Sequence, residues 1–462
     1  MKDLPMDRTT DDPGRIEALR RHAVDAVSFQ GLESGMRWWH DAASPAGTGA
    51  ALPYVDVGRS RIAVGTPLGS TAVRARAARR FAADARMAGR RAVFFGVECL
   101  DPFEGFRQLA IGLQSELWPS RWTATLRQSA KLREQLRRAR AKGVTVRRVA
   151  PEELREGAPL RRAVEGLRDE WLASRPMEPM VFLVAVEPFH ASGEHLYLVA
   201  ERAGRAVQFL SAVPIYGRRG WLMEDMLRGR DAPNGTTELV IDGLMREVGD
   251  NSSLVTPGLT PLAGAVSCWM RCARAVTAPL YDFTGLQRFR ARLSPSRWSP
   301  VWLVWDRGGA LLTFVDVLRA FAGGRLLDFA ARTLVTHPNG PPWAVAVPLV
   351  AWTLLLSALA GFGRSDLLGF TGPILWAWVA FDVVLTWLLF RAARRPRLPR
   401  LAMMAGVAGF DAVVSWHHLA ATGLGAGAIA ILLRLLATAG PNIGALALAW
   451  AAWRARERRR RS

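Results

Sequence analysis

Two patterns of hydrophobic and polar positions run along the chain, and they change over near residue 335. Before that point, short apolar runs alternate with longer stretches whose apolar residues recur every three or four positions. RIAVGTP from Arg61 and RAVFFGVE from Arg91 have the length and residue types of strands. Ser70 to Gly89, between them, has the spacing of a helix, so the order reads β–α–β. Arg127 to Gly143 is expected to be helical, with Leu132, Leu136 and Ala139 on one face and Gly143 as its stop. VTVRRV then reads as a strand and Pro159 to Ser174 as a helix. HLYLVAERAGRAVQFLSAVPIY reads as two strands around a turn at Ala203 and Gly204, and WLMEDML continues the sheet. A helix from Thr236 to Val248, one strand in SSLVTPGL and a helix entry at YDFTGLQRFRARL complete this part.

After the change the polar positions almost disappear. Pro338 to Gly363 carries no charge, and Leu367 to Phe390 carries only Asp382. Leu401 to Thr422 has the single carboxylate Asp411, beside His417 and His418, and Ala426 to Trp453 has only Arg434. Each stretch reaches the roughly 20 residues needed to cross a bilayer, so four transmembrane helices are expected. The loop with Arg391, Arg394, Arg395, Arg397 and Arg400 and the tail RARERRRRS are basic, whereas the connection between the third and fourth spans is neutral. That alternation follows the positive-inside rule and puts both termini in the cytoplasm. The opening MKDLPMDRTTDDPGR lacks the apolar stretch of a signal peptide, which agrees. Ionisable groups inside spans are costly unless paired. Asp411 and His418 share a helix face, and Arg434 has Asp382 and Asp411 as candidate partners, for a proton path or a structural ion pair. ALLTFVDVLRAFAGGRLLDFAARTL, from Ala310, fits a helix on the membrane surface or one packed on the preceding domain.

Composition sharpens the choice of partners. The net charge of +21 over 462 residues suits a polyanion, either nucleic acid or an anionic membrane surface. Lys2, Lys131 and Lys142 are the only lysines, so the Arg excess also carries a codon-bias signature, and placement counts for more than amount. Cys268 and Cys272 would share a helix face, but no His or Cys cluster nearby completes a metal site. They and Cys99 read as buried or inert thiols of a reducing compartment. Without a phosphate-binding glycine loop bearing Lys, a G-x-S-x-G elbow or an H-E-x-x-H pair, the sequence does not read as a P-loop enzyme, a serine hydrolase or a zinc protease.

The candidate chemistry centres on RGRDAPNGTTELVIDGLM, from Arg228. DAPNG crowds turn formers ahead of a helix, with Glu224, Asp225, Asp231 and Glu238 around it. A helix start offers free N–H groups to an anion or oxyanion, and a neighbouring carboxylate can act as a base. The plain alternative is a turn that Asp231 caps, with Gly235 supplying a positive φ and Thr236 or Thr237 capping the helix. Lys131, Arg133, Arg137, Arg138 and Arg140 make one basic helix. Arg288, Arg290, Arg292 and Arg297 make a second cluster, interleaved with Phe289 and Trp298. Both suit a phosphate backbone, and both also suit a solvated face.

These stretches, in this order, resemble the catalytic domain of the phosphatidylglycerol lysyltransferases, the aminoacyl-phosphatidylglycerol synthases. YVDVGRSRIAVGTPLGS, RRAVFFGVE, IGLQSELWP, LREQLRRARAKGV, LRGRDAPNGTTELV and YDFTGLQRFRARLSPSRWSPVWLVW carry the resemblance, over roughly residues 50 to 305. It implies an α/β region of tandem GNAT-like (acetyltransferase-like) folds, followed here by the α-helical transmembrane bundle of four. The expected organisation is an N-terminal segment 1–30, a first lobe with the basic linking helix 31–150, and a second lobe with the site 151–308. A connector 309–337, the membrane helices 338–453 and a basic cytoplasmic tail 454–462 complete it.

The resemblance further implies transfer of an aminoacyl group from aminoacyl-tRNA to a hydroxyl of an anionic, phosphatidylglycerol-like lipid at the inner membrane, with no cofactor and no metal. On that analogy Asp231, Glu224 and Glu238 are the candidate catalytic carboxylates, with Asp231 as base and Glu238 recognising the amino group. Arg228, Asn234, Gly235, Thr236, Arg288, Arg290 and Arg292 would bind substrate, and Lys131, Arg133, Arg137 and Arg138 would touch tRNA. The best-known members place their many membrane helices before the catalytic domain, whereas here four follow it, too few for a flippase, so synthesis or anchoring without flipping is expected. Two other readings stand beside this one: a same-fold acyltransferase using an acyl thioester, for which GTPLGS is a poor pyrophosphate loop, and a non-catalytic protein binding tRNA or lipid.

Overall fold

The structure, a computed structural model, describes residues 12–41, 49–175, 177–277, 281–336, 340–394 and 398–461. Residues 1–11 of the N-terminal segment, Pro338, Arg395, Arg397 and Ser462 lie outside the described residues. The chain divides into two compact units at about residue 326.

The first unit runs α1 (Pro13–His22), β1 (Arg37–His40), β2 (Ala51–Val57), β3 (Ser60–Val64), α2 (Thr71–Met87), β4 (Arg91–Val97), β5 (Arg107–Glu116), α3 (Pro119–Gln128) and α4 (Ala130–Ala141). It continues with β6 (Val144–Val149), α5 (Pro159–Ala173), β7 (Leu196–Arg202), β8 (Arg205–Ile215), β9 (Gly220–Arg228), α6 (Thr236–Val248), β10 (Leu254–Thr256) and β11 (Leu259–Pro261). α7 (Cys268–Thr277), α8 (Phe283–Arg292), β12 (Arg297–Trp305) and α9 (Ala310–Phe321) close it. These form two mixed sheets, of order β1-β2-β3-β4-β12-β5-β11 and β10-β9-β8-β7-β6.

The pairing departs from a single cut at residue 150. β6 belongs to the second sheet, while β11 and β12, expected in the second lobe, belong to the first. β12 enters between β4 and β5, antiparallel to both. Its apolar run serves a central position covered on both faces: Val301, Leu303 and Trp305 pack into one core, Val304 into another. SSLVTPGL also makes two strands rather than one. Leu254–Thr256 pairs with β9, Leu259–Pro261, which starts at the last residue of that stretch, pairs with β5, and Gly258, at φ +77°, turns between them.

The stretch from Arg127 to Gly143, expected as one helix, is broken at Ser129. Its Oγ accepts from the Leu132 N–H at 3.3 Å and so caps α4. The apolar face Leu132, Leu136 and Ala139 then packs into the same core as Leu239, Val240 and Leu244 of α6. Arg218, following β8, joins the two sheets by donating to Glu116 at 2.9 Å and to Glu98. α9 packs on the first sheet, where Asp316 accepts from Ser60 Oγ at 2.7 Å, which favours the packed reading for this half of the connector. The three thiols correct another expectation: Cys99, Cys268 and Cys272 are free and exposed rather than buried.

The second unit holds α10 (Leu326–Thr336), α11 (Gly340–Gly361), α12 (Gly372–Arg394), α13 (Leu398–Thr422) and α14 (Ala428–Arg461). The last four are long and apolar enough to cross a membrane. Leu375, Leu389 and Leu448 are buried, while Trp376, Trp387, Phe410, Val413, Trp416 and Leu446 are exposed, the outward-apolar pattern that lipid favours. Arg434 does not pair with Asp382 or Asp411. Its guanidinium donates to the carbonyls of Leu367 (3.2 Å), Thr422 (2.9 Å) and Gly423 (2.7 Å), so it holds loop ends together. His418 approaches the Leu368 carbonyl at 3.0 Å and stacks on Phe370.

Candidate active site

In the second sheet β9 and β10 run parallel, joined by α6, and every other neighbouring pair is antiparallel. DAPNG is the turn from the end of β9 to the start of α6. Gly235 is the residue before α6, at φ +90°. A Cβ there would stand 2.1 Å from the Gln135 carbonyl oxygen, so glycine lets α4 and the start of α6 meet backbone to backbone. Thr236 is fully buried, and its hydroxyl donates to the Pro233 carbonyl at 2.7 Å, fastening the turn.

A cavity of about 470 Å³ opens at this junction, lined by Gln135, Arg138, Arg228, Asn234, Gly235, Thr237, Glu238, Phe289 and Arg292. It takes one residue set from each sequence-singled segment: the basic helix, the turn, and the basic–aromatic cluster. Among the described residues its lining holds three arginines, one acidic residue and the start of a helix, whose dipole adds positive character, so the site is electropositive. Arg138 is paired with Glu134 at 2.7 Å, Arg228 donates to the Ala232 carbonyl at 2.5 Å, and the Arg292 guanidinium lies 5.8 Å from the Phe289 ring centre. A neighbouring groove of about 350 Å³, lined by Asp282, Gly285, Arg288, Ala291 and Arg292, shares Arg292 with the cavity.

The other expected site residues are distributed differently. Asp231 is exposed in the turn and does not line the cavity. Arg290 is buried, and its guanidinium donates to the carbonyls of Gly258 and Pro257, both at 2.6 Å, and to Thr260 Oγ1 at 2.7 Å. It therefore braces the switch from β10 to β11, which leaves Arg288, Arg292 and Arg297 as the cluster members at the surface. On α4, Lys131 and Arg133 are exposed, with Arg133 donating to the Leu126 and Arg127 carbonyls, and Arg137 shares Glu134 with Arg138.

Glu224 lies apart from the turn, in a buried polar cluster that the sequence did not announce. In the β8–β9 ladder Ser211 pairs with Asp225 and Ala212 with Met223, so Glu224 is the extra residue of a bulge. Its side chain is 6% exposed and lies 4.0 Å from His195 Nδ1. Burial, then the neighbouring charges of Asp225 and Glu187, raises its carboxyl well above the usual range. Burial and Glu187 push Asp225 up to about 7, and burial with the surrounding acids raises Glu33 as well. Burial, followed by His190, holds the His195 imidazole down at about 3 and thus neutral. Gln135 at the cavity and His190, His195 and Glu33 in this cluster went unsignalled, because no sequence motif places them; Phe289 had a cue in its basic neighbours, and Thr237 was named only as a helix cap.

The model of the family described as phosphatidylglycerol lysyltransferase, C-terminal, matches residues 33–305. No curated protein matches. Among solved structures, L-PGS from Bacillus licheniformis aligns at a TM-score of 0.58 with 20% identity, covering 70% of this chain and 99% of that one. The C-terminal domain of a putative lysylphosphatidylglycerol synthetase from Agrobacterium fabrum aligns at a TM-score of 0.56 with 22% identity, covering 68% and 98%. These likenesses show that the chain shares the fold of those two structures over about two thirds of its length. The chain belongs to the phosphatidylglycerol lysyltransferase C-terminal family and is a transferase, its catalytic region followed by four helices able to cross a bilayer.

Proposed function

We propose that this transferase moves an aminoacyl group from aminoacyl-tRNA to a hydroxyl of an anionic, phosphatidylglycerol-like lipid. The observation that carries the reading is the electropositive cavity where basic α4 meets the start of α6. Arg138, Arg228 and Arg292 would hold phosphates of the donor or acceptor, with Arg288 extending the surface, and Lys131, Arg133 and Arg137 would continue it along α4 for the tRNA backbone. Glu238, the one carboxylate at the cavity, would hold the amino group of the transferred residue. Asp231, exposed in the same turn, would take the proton of the lipid hydroxyl as its oxygen attacks the ester carbonyl. Asn234 and the first-turn N–H groups of α6 would face the negative oxygen of the tetrahedral intermediate. When the intermediate collapses, the tRNA ribose oxygen leaves and regains that proton. The four long helices would anchor the chain in the inner membrane, with catalytic unit and termini on the cytoplasmic side.

The thioester reading draws less support. In GTPLGS the Thr66 N–H, which a phosphate would need, donates to buried Asp25 at 2.6 Å. The deciding experiment is lipid extraction and mass spectrometry on cells expressing wild type, Glu238→Gln or Asp231→Ala. An amino-acid ester of a lipid in the wild type alone is expected, and its mass names both substrates. Well-expressed, folded wild type without any such ester refutes the reading; an ester that persists in Asp231→Ala removes that residue as base.

A further inference from the structure

The cluster around Glu224 lies outside the cavity and has a chemistry of its own. One nitrogen each of His190 and His195 and one Glu224 oxygen lie within 4.8 Å of one another. His190 directs Nδ1 to the Glu187 carbonyl oxygen at 2.6 Å, so Nδ1 carries the proton and Nε2 carries the lone pair. This is the outer hydrogen bond that orients a metal-binding imidazole. His195 places Nδ1 2.8 Å from Ser211 Oγ, and its side chain is fully buried, with no partner for Nε2 among the described residues.

Neither carboxylate oxygen of Glu224 has a hydrogen-bond partner there, nor has Asp225 Oδ2 or Glu33 Oε2. No Arg or Lys side chain among the described residues pairs with Glu33, Glu224 or Asp225. Buried polar atoms are almost always satisfied, and buried acids without a cation are costly. The missing element is a compact positive charge that also accepts nitrogen lone pairs.

We propose that His190, His195 and Glu224 form a divalent-metal site suited to Zn²⁺, with Glu33 and Asp225 supplying further negative charge. Two imidazoles and a carboxylate match zinc better than magnesium or calcium, which take oxygen. Zinc bonds of about 2.0–2.2 Å put tetrahedral ligand atoms about 3.4 Å apart, so side-chain movements of about an ångström close the set. The ion would tie the segment ahead of β7, which carries His190 and His195, to the bulge of β9. The three residues come from two separate segments, so no local spacing in the sequence marks them as a set. The proposal is independent of the transfer reading.

The test uses the untagged full chain in detergent, stripped with EDTA, incubated with Zn²⁺ alone, desalted and analysed for metal. About one equivalent is expected to stay on wild type and on His40→Ala, whose imidazole is exposed, and His195→Ala and Glu224→Gln should retain about tenfold less. Co²⁺ in place of Zn²⁺ should give the visible absorption of a four-coordinate site. Should a variant not fold, hydrogen exchange on wild type decides: Zn²⁺ must slow exchange at residues 187–196. Overturning results are less than about a tenth of an equivalent on wild type, or retention unchanged in both folded variants. Slowed exchange with lysinamide but not with Zn²⁺ would also overturn it, assigning the acids to an ammonium group.

Discussion

Replacing Gly235 by alanine tests whether the close approach of α4 to the start of α6 builds the cavity. Two costs add. A residue with a Cβ at positive φ costs about 1–2 kcal/mol. The new Cβ would also lie 2.1 Å from the Gln135 carbonyl oxygen, where ordinary contact begins at 3.4 Å. That oxygen belongs to the α4 backbone, so α4 must move by about 1 Å and disturb the packing of Leu132 and Leu136 against Leu239. Such overpacking costs about 1–3 kcal/mol, for a total of about 3 kcal/mol. Gly204 provides the control. It also has positive φ, +73°, but its Cβ would meet nothing within 4 Å, so only the first cost applies. At about 2–4 °C per kcal/mol for a domain of this size, thermal unfolding of the detergent-solubilised chain should fall by about 6–12 °C for Gly235→Ala and about 2–8 °C for Gly204→Ala. Hydrogen exchange should quicken in residues 130–141 for the first variant alone. Equal shifts in the two variants would refute the contact argument.

Four further outcomes are expected. Arg290→Lys should lower the unfolding temperature, since an ammonium cannot span the three acceptors, at a cost of about 2–4 kcal/mol; Arg292→Ala should leave it near wild type but, on the proposed transfer reaction, weaken binding of added tRNA and flatten its salt dependence. Asp242 accepts from Trp122 Nε1 at 2.9 Å and pairs with Arg140 and Arg246, so Asp242→Ala should cost about 1–3 kcal/mol, measured by chemical denaturation, and Asp242→Asn less. Burial opposes ionisation of Glu116, but the bonds from Arg218 and Ser299 and the Arg218 charge outweigh it and hold its carboxyl below the usual value. That contribution is full above the unfolded value near 4.5 and is lost as pH falls through the lower folded value, so Glu116→Gln should make the acid limb of a stability–pH profile shallower.

Local pattern alone determined the elements whose cause is local. α6 spans Thr236–Val248, as its apolar spacing requires, and the β7–β8 turn falls at Ala203 and Gly204, both at positive φ. The four apolar helices follow from length and lack of charge, because a bilayer-spanning segment satisfies its backbone internally. The ordered motifs up to YDFTGLQRFR were enough to indicate the family. Tertiary structure decided what depends on partners remote in sequence. The placing of β12 between β4 and β5, the division of SSLVTPGL between two sheets and the burial of Arg290 at that division all rest on pairings with residues far along the chain. In the sequence Arg288, Arg290 and Arg292 are equals; only packing separates the brace from the surface charges. Glu224 and Asp225 are acids near a turn in the sequence, but a bulge in β9 sends Glu224 to His195 instead. Side-chain periodicity sets which face a residue favours, whereas an inserted residue and a distant neighbour decide what it meets there.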